Sequence, residues 1–174
     1  MKKLLSAVTL VLLVCVALTS CSFEAPPKIE EGRFNFSITL DMMGETKIFA
    51  GTYVCKYAGY DFNLEGGDFV RTWDSHVEGI EHADEIFNNA VLIYETDDGG
   101  EIFLSFGLVA PHMMGEPDFA DSEMEPSLFL VYSNEDHTTS EHGGWDEEVE
   151  ALYGIKVVDY QYDAPIVNSF GRAK

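Results

Sequence analysis

Acidic side chains crowd the stretch Glu116–Pro126, and carboxylate oxygens are the ligands that calcium prefers in proteins. Their spacing does not match an EF-hand loop, and the glycine that such a loop needs at its sharp turn is missing. We therefore interpret this stretch as a solvated loop and keep calcium binding as the alternative. The candidate ligands are Asp118, Asp121, Glu123 and Glu125.

Two histidines, His137 and His142, lie among acids in the polar stretch Asn134–Glu148. Imidazole together with carboxylate is a common ligand set for zinc. The chain has no His-Glu-x-x-His motif, which would place two imidazoles on one side of a helix. We interpret the stretch as a polar loop, with a zinc site at these histidines as the alternative.

Trp73 is a further candidate, for ligand binding or an interface, because it stands among polar residues in Arg71–His76. A ring at such a position can hold a partner, and it can equally close one end of a β-sandwich. Cys55 has no base near it in sequence, and strand alternation would turn its thiol into the core. The chain also lacks a Gly-x-Ser-x-Gly motif and a glycine-rich phosphate loop. We predict no catalytic residue.

The chain begins with the features of a secretory signal. Lys2 and Lys3 precede the apolar run Leu4–Leu18, and small residues follow it. As a helix this run would cover about 22 Å, which is short of the roughly 30 Å hydrocarbon layer of a bilayer. The next residues, Leu18-Thr19-Ser20-Cys21, resemble the lipobox of bacterial lipoproteins.

This resemblance covers only the amino-terminal part of the chain. It implies cleavage before Cys21 and a diacylglyceryl group on the Cys21 thiol, and two or more acyl chains hold a protein stably at a bilayer. The implied location is the bacterial cell envelope, on the outer face of the cytoplasmic membrane or at an outer membrane. We divide the chain into a signal peptide (1–20), a lipidated flexible tether (21–32), a single β-rich domain (33–170) and a tail (171–174).

Acidic residues dominate the composition, with 31 Asp and Glu against 10 Lys and Arg, for a net charge of −21. Removing the signal peptide would take away two lysines and no acid, which leaves 8 minus 31, or −23. Such a charge argues against nucleic acid as a partner, because proteins bind phosphates by neutralising them. It argues equally against docking on anionic lipid.

Alternation of apolar and polar residues with period two predicts strands, most clearly at Arg33–Leu40. Lys47–Tyr57 returns from it as a hairpin, and Ala90–Val109 is a second hairpin. One short helix is predicted at Trp145–Tyr153, with acids in its first turn. We predict an all-β, two-sheet antiparallel β-sandwich of immunoglobulin-like architecture, with a closed β-barrel as the alternative. Long connections are predicted at 62–89, 111–126 and 133–144.

These observations favour a membrane-anchored surface lipoprotein without enzymatic activity, which binds a protein or a small molecule through the loops of its sandwich. Its other partner is the membrane, through the lipid anchor at Cys21. We expect no resident cofactor, with calcium as the alternative. The competing interpretation is a metal-dependent enzyme or a metal-binding lipoprotein that uses calcium or zinc.

Overall fold

The computed structural model describes residues 24–64, 68–81, 89–133 and 140–172. The predicted signal peptide (1–20), Cys21 and His137 lie outside the described residues. Strands make up most of the described chain, as alternation predicted, and helices are short. The strands are β1 (Glu24–Pro27), β2 (Glu31–Met42), β3 (Glu45–Asn63), β4 (Asp68–Glu78), β5 (Ala90–Glu95), β6 (Gly100–Ser105), β7 (Ser127–Ser133), β8 (Ser140–Trp145), β9 (Ile155–Tyr162) and β10 (Phe170–Arg172). The helices are α1 (Ala110–Met113), a 3-10 turn (Pro117–Phe119) and α2 (Asp146–Tyr153).

Two antiparallel four-stranded sheets form the body of the protein. The first has the order β4-β3-β2-β9 and the second the order β5-β6-β7-β8. Neighbouring strands are consecutive in sequence except at β9, which returns from the second sheet to pair with β2. The predicted all-β sandwich is confirmed, and the described strands do not close into a barrel.

The core lies between the two sheets and follows from the alternation along β2. Phe34, Phe36, Ile38 and Leu40 are buried and belong to one hydrophobic cluster with side chains of the second sheet. The rings of Phe36 and Phe106 lie 5.0 Å apart across this core. Burial of so much apolar surface is the main favourable term in the stability of such a domain.

The predicted helix is confirmed as α2, and it closes one end of the sandwich. The Trp145 N–H donates to the Glu148 carboxylate at 3.1 Å, which satisfies one backbone group at the start of the helix. Gly154 ends the helix in the left-handed region, with φ of 66°. Its carbonyl accepts a 2.9 Å hydrogen bond from Met43 in the β2–β3 turn. No helix in the described ranges has both the length and the apolar character that crossing a membrane requires.

Two of the predicted long connections contain strands. β3 continues to Asn63 and pairs with β4, which ends at Glu78. Strands therefore occupy most of residues 62–78. β8 occupies the end of the stretch 133–144 and pairs with β7. Alternation along β4 was hard to recognise because its inward-facing positions include Arg71 and Trp73, whose polar atoms need a partner from elsewhere in the chain.

The folded domain extends beyond the predicted boundaries at both ends. Residues 24–27, predicted as flexible tether, form β1 and pair with β10, with Pro27 opposite Phe170. Asn168 holds the chain that follows β1, because its side chain accepts from the Ile29 N–H at 3.0 Å and donates to the Ile29 carbonyl at 2.9 Å. β2 then begins at Glu31, and part of the predicted tail belongs to β10.

The Cys55 thiol is buried in the core, as strand alternation predicted. Burial raises the pKa of this thiol from 9.0 to about 12. Because the thiolate is the reactive form, we expect no reaction of native protein with a thiol reagent near neutral pH, and complete reaction in denaturant. Absorbance of the released chromophore would measure it, with Cys55→Ser as the blank. Fast reaction of the native protein would contradict the burial of Cys55 on β3.

Candidate functional site

The β3–β4 hairpin extends past the start of β2 and carries the candidate site. Glu31, the first residue of β2, stands opposite Lys56, whereas β3 continues to Asn63. We call residues 57–63 of β3 and 68–73 of β4 the distal hairpin. At about 3.3 Å per residue, it projects roughly 20 Å beyond the start of β2.

A buried ion pair fixes the base of the distal hairpin. The side chains of Arg71 on β4 and Glu116, between α1 and the 3-10 turn, are only 6% and 7% exposed. Arg71 donates to Glu116 through Nε at 2.6 Å and through Nη2 at 2.7 Å, one bond to each carboxylate oxygen. Trp73 Nε1 donates to the same carboxylate at 3.2 Å. Burying either charge without the other would cost free energy. The ion pair therefore holds β4 against the turn that follows α1.

The inward turn of Glu116 depends on the residue before it. Gly115 has φ of +75°, and a Cβ atom there would lie 2.5 Å from the Ile166 carbonyl oxygen. The absence of a side chain therefore lets this turn approach the carboxy-terminal segment closely. The Ile166 N–H donates to the Met113 carbonyl at 3.0 Å, which fixes that segment against the end of α1.

The β1–β10 ribbon covers the other side of the ion pair. The Arg71 guanidinium lies 4.2 Å from the centroid of the Phe170 ring, a cation–π contact. Phe170 stands opposite Pro27, so the first and last described strands both meet the distal hairpin at this level. The planar guanidinium suits this position, since it forms a bidentate bond in its plane and stacks on a ring above it.

Aromatic rings complete the support beneath the distal hairpin. Tyr57 and Trp73 stand opposite each other, with ring centroids 5.7 Å apart and an edge-on geometry. Tyr60 packs on Tyr57 in the same manner at 5.8 Å. Burial raises the pKa of Tyr57 well above its usual range, so this phenol stays protonated. Trp73, predicted as a ligand or interface residue, is half-buried and supports the hairpin from within.

Apolar side chains are exposed beyond this support. They are Phe62 (45%), Leu64 (87%), Phe69 (38%) and Val70 (39%), which we call the apolar tip. Phe62 and Phe69 stand opposite each other, with ring centroids 5.2 Å apart. Contiguous exposed apolar residues mark interaction sites. The apolar tip stands out because the rest of the protein is strongly acidic.

The structure spreads the predicted calcium ligands along an exposed loop. Asp118 lies in the 3-10 turn, and Asp121, Glu123 and Glu125 follow it, all four exposed. Of the acids in this loop, Glu116 turns inward instead. In the part of the chain that the structure covers, no three His, Cys, Asp or Glu side chains are grouped closely enough to hold a metal ion.

The two histidines predicted as zinc ligands are located only in part. His142 lies on β8 opposite Val131, and its side chain is outside the described residues. His137 is outside them entirely. The zinc site at these residues stays a prediction.

Sequence reasoning missed Arg71 and the apolar tip, although one signal was present. Gly66-Gly67 separates two segments with aromatic and β-branched residues, which is typical of a hairpin turn. The pairing of Arg71 with Glu116 had no such signal, since the two residues are 45 positions apart.

Comparison with known proteins leaves the site to be interpreted from its own geometry. No protein family, curated protein or solved structure matches this chain. The apolar tip is an exposed contact surface. The distal hairpin beneath it is held by an ion pair, a cation–π contact and aromatic packing. Such an arrangement suits binding, because a preorganised surface loses little conformational freedom when a partner covers it.

Proposed function

We propose that this protein is a lipid-anchored surface lipoprotein of a bacterium, without enzymatic activity, and that its β-sandwich is a binding module. The observation that carries the binding role is the apolar tip, which exposes two phenylalanines, a leucine and a valine. Covering a fully exposed side chain of this kind contributes on the order of 1.5–3 kcal/mol, and a half-exposed one contributes correspondingly less. The tip is thus a surface whose burial by a partner is favourable.

The place of the binding surface differs from the sequence-based expectation in one respect. We expected binding through long loops, and part of the stretch 62–89 is instead paired strand near the end of a hairpin. Rigid aromatic contacts bind at lower entropic cost than mobile loops. The Arg71–Glu116 pair beneath the tip supports this role, because it holds the hairpin in one orientation.

The lipid anchor is supported by the sequence Leu18-Thr19-Ser20-Cys21, and the position of β1 sets the length of the tether. β1 begins at Glu24, three residues after Cys21, so the extended chain between them spans about 10 Å. The predicted tether, which ended at residue 32, would have allowed roughly 30 Å between the anchor and the folded domain. In this proposal the domain is held close to the membrane.

Cys21→Ala tests the anchor. We expect the variant to disappear from the membrane fraction or to accumulate as an unprocessed precursor, because no thiol remains to be acylated. Fractionation and metabolic labelling with a radioactive fatty acid would measure both effects. Cys15→Ala is the matched control, and it should be labelled like the unaltered protein. Undiminished fatty-acid labelling of Cys21→Ala would refute the lipid anchor at this residue.

A further inference from the structure

We propose that the apolar tip is a second membrane contact, and that it rests in the headgroup region of the bilayer that holds the anchor. This inference rests on the proposed function, since it takes Cys21 to be the lipidated residue. It is carried by the juxtaposition of the first described strand and the apolar tip.

The chain enters the fold beside the apolar tip. β1 lies against β4, the strand that supplies Phe69 and Val70. Phe170, which stands opposite Pro27, packs on Arg71. Arg71 follows Phe69 by two residues along β4, or about 7 Å, and it lies on the same face as Phe69.

The anchor and the apolar tip can therefore meet one membrane surface. Cys21 precedes Pro27 by six residues, which span at most about 21 Å when extended. An acyl chain on Cys21 would therefore be attached within about 21 Å of Pro27, whose partner Phe170 packs on Arg71 at the base of the tip.

The distribution of the tip over both faces of the hairpin favours a bilayer over a protein as its occupant. Phe62 and Phe69 share one face, whereas Val70 alternates to the opposite face. Leu64 is the most exposed of the four and follows the end of β3. A flat protein surface would cover one face of this hairpin end, whereas the headgroup and acyl boundary of a bilayer would surround it.

Charge limits the lipid that the tip can meet. The exposed carboxylate of Asp61 lies next to Phe62, and the chain without its signal peptide has a net charge of −23, from 8 minus 31. Arg71, the cation nearest the tip along β4, is neutralised by Glu116. Anionic headgroups would therefore repel this surface, and zwitterionic lipid is the expected occupant, bound by apolar contact.

A depth measurement on the full lipidated protein tests this inference. Leu64→Cys would be labelled with an environment-sensitive fluorophore and reconstituted in phosphatidylcholine vesicles that contain lipids with a spin-label quencher. Cys55 does not compete for the label, because it is buried. Ile48→Cys is the matched control, since Ile48 is also on β3, is 64% exposed and lies towards the start of the strand, remote from the tip.

We expect the probe at position 64 to be blue-shifted and quenched several-fold more strongly than the probe at position 48. Adding Phe62→Ser and Phe69→Ser to Leu64→Cys should lower the quenching to the level of the control. Replacing part of the phosphatidylcholine by anionic phosphatidylglycerol should also lower it.

Flotation of the same samples separates this inference from the proposed function. Protein that fails to float with the vesicles would overturn the anchor and this inference together. Protein that floats while the two probes are quenched equally would overturn the inference and leave the anchor standing. Shielding of position 64 from aqueous iodide without lipid quenching would also overturn it, because a protein or a second copy would then cover the tip.

Discussion

Glu116→Ala should lower the free energy of unfolding by about 3–5 kcal/mol, because it leaves a buried cation without its counter-charge. Arg71, whose side chain is 6% exposed, would lose two hydrogen bonds, and Trp73 would lose one. For a domain of this size, the melting temperature should fall by about 6–20 °C. Urea and thermal unfolding, followed by circular dichroism, would measure both quantities.

Asp118→Ala is the matched control for this substitution. Asp118 is two residues further along the same turn and is exposed, so its removal should change stability by no more than about 0.5 kcal/mol. The double variant Arg71→Met, Glu116→Leu should be much closer in stability to the unaltered protein than Glu116→Ala, since it removes both charges and keeps apolar volume. An unstable double variant would show that packing and hydrogen bonding, rather than an isolated charge, account for the loss.

Gly107→Ala should be about as damaging, with an expected loss on the order of 4–5 kcal/mol or failure to fold. Gly107 has φ of +64°, and a Cβ atom there would lie 2.0 Å from the Glu125 carbonyl oxygen. That oxygen belongs to the backbone just before β7, so the clash cannot be relieved by turning a side chain.

Gly99→Ala separates the clash from the cost of the backbone conformation. Gly99 has φ of +85° in the β5–β6 turn, and a Cβ atom there would meet nothing within 4 Å. Its replacement should therefore cost only about 1–2 kcal/mol, the price of the left-handed conformation itself. Equal losses in the two variants would contradict the close approach of Gly107 to the strand after it.

The sequence predicted those elements whose pattern of apolar and polar residues lies within the element itself. β2 alternates apolar and polar residues without interruption, so its inward face, its hairpin with β3 and the burial of Cys55 could be predicted. α2 was predictable for the same reason, since Val149 faces the core and acids fill its first turn. These elements were sufficient to predict the two-sheet sandwich.

The candidate site could not be predicted because its parts come together only in the folded chain. Arg71 and Trp73 occupy inward positions on β4, which is acceptable only because Glu116 arrives from a distant turn. β1 was predicted as tether for a related reason. Its sequence is short and contains two prolines, and its pairing depends on β10 rather than on a neighbouring segment.

The pairing of β1 with β10 also has a consequence for the order of folding. Glu24 and Arg172 stand opposite each other, so their contact closes a loop that contains nearly all of the described chain. Such a contact carries a high entropic cost until the intervening sheets have formed. If Cys21 carries the proposed lipid anchor, the acylated end would be attached to the membrane before β1 had paired with β10. Under that proposal, the distance between the sheets and the bilayer would be set only after β10 had been synthesised and had paired with β1.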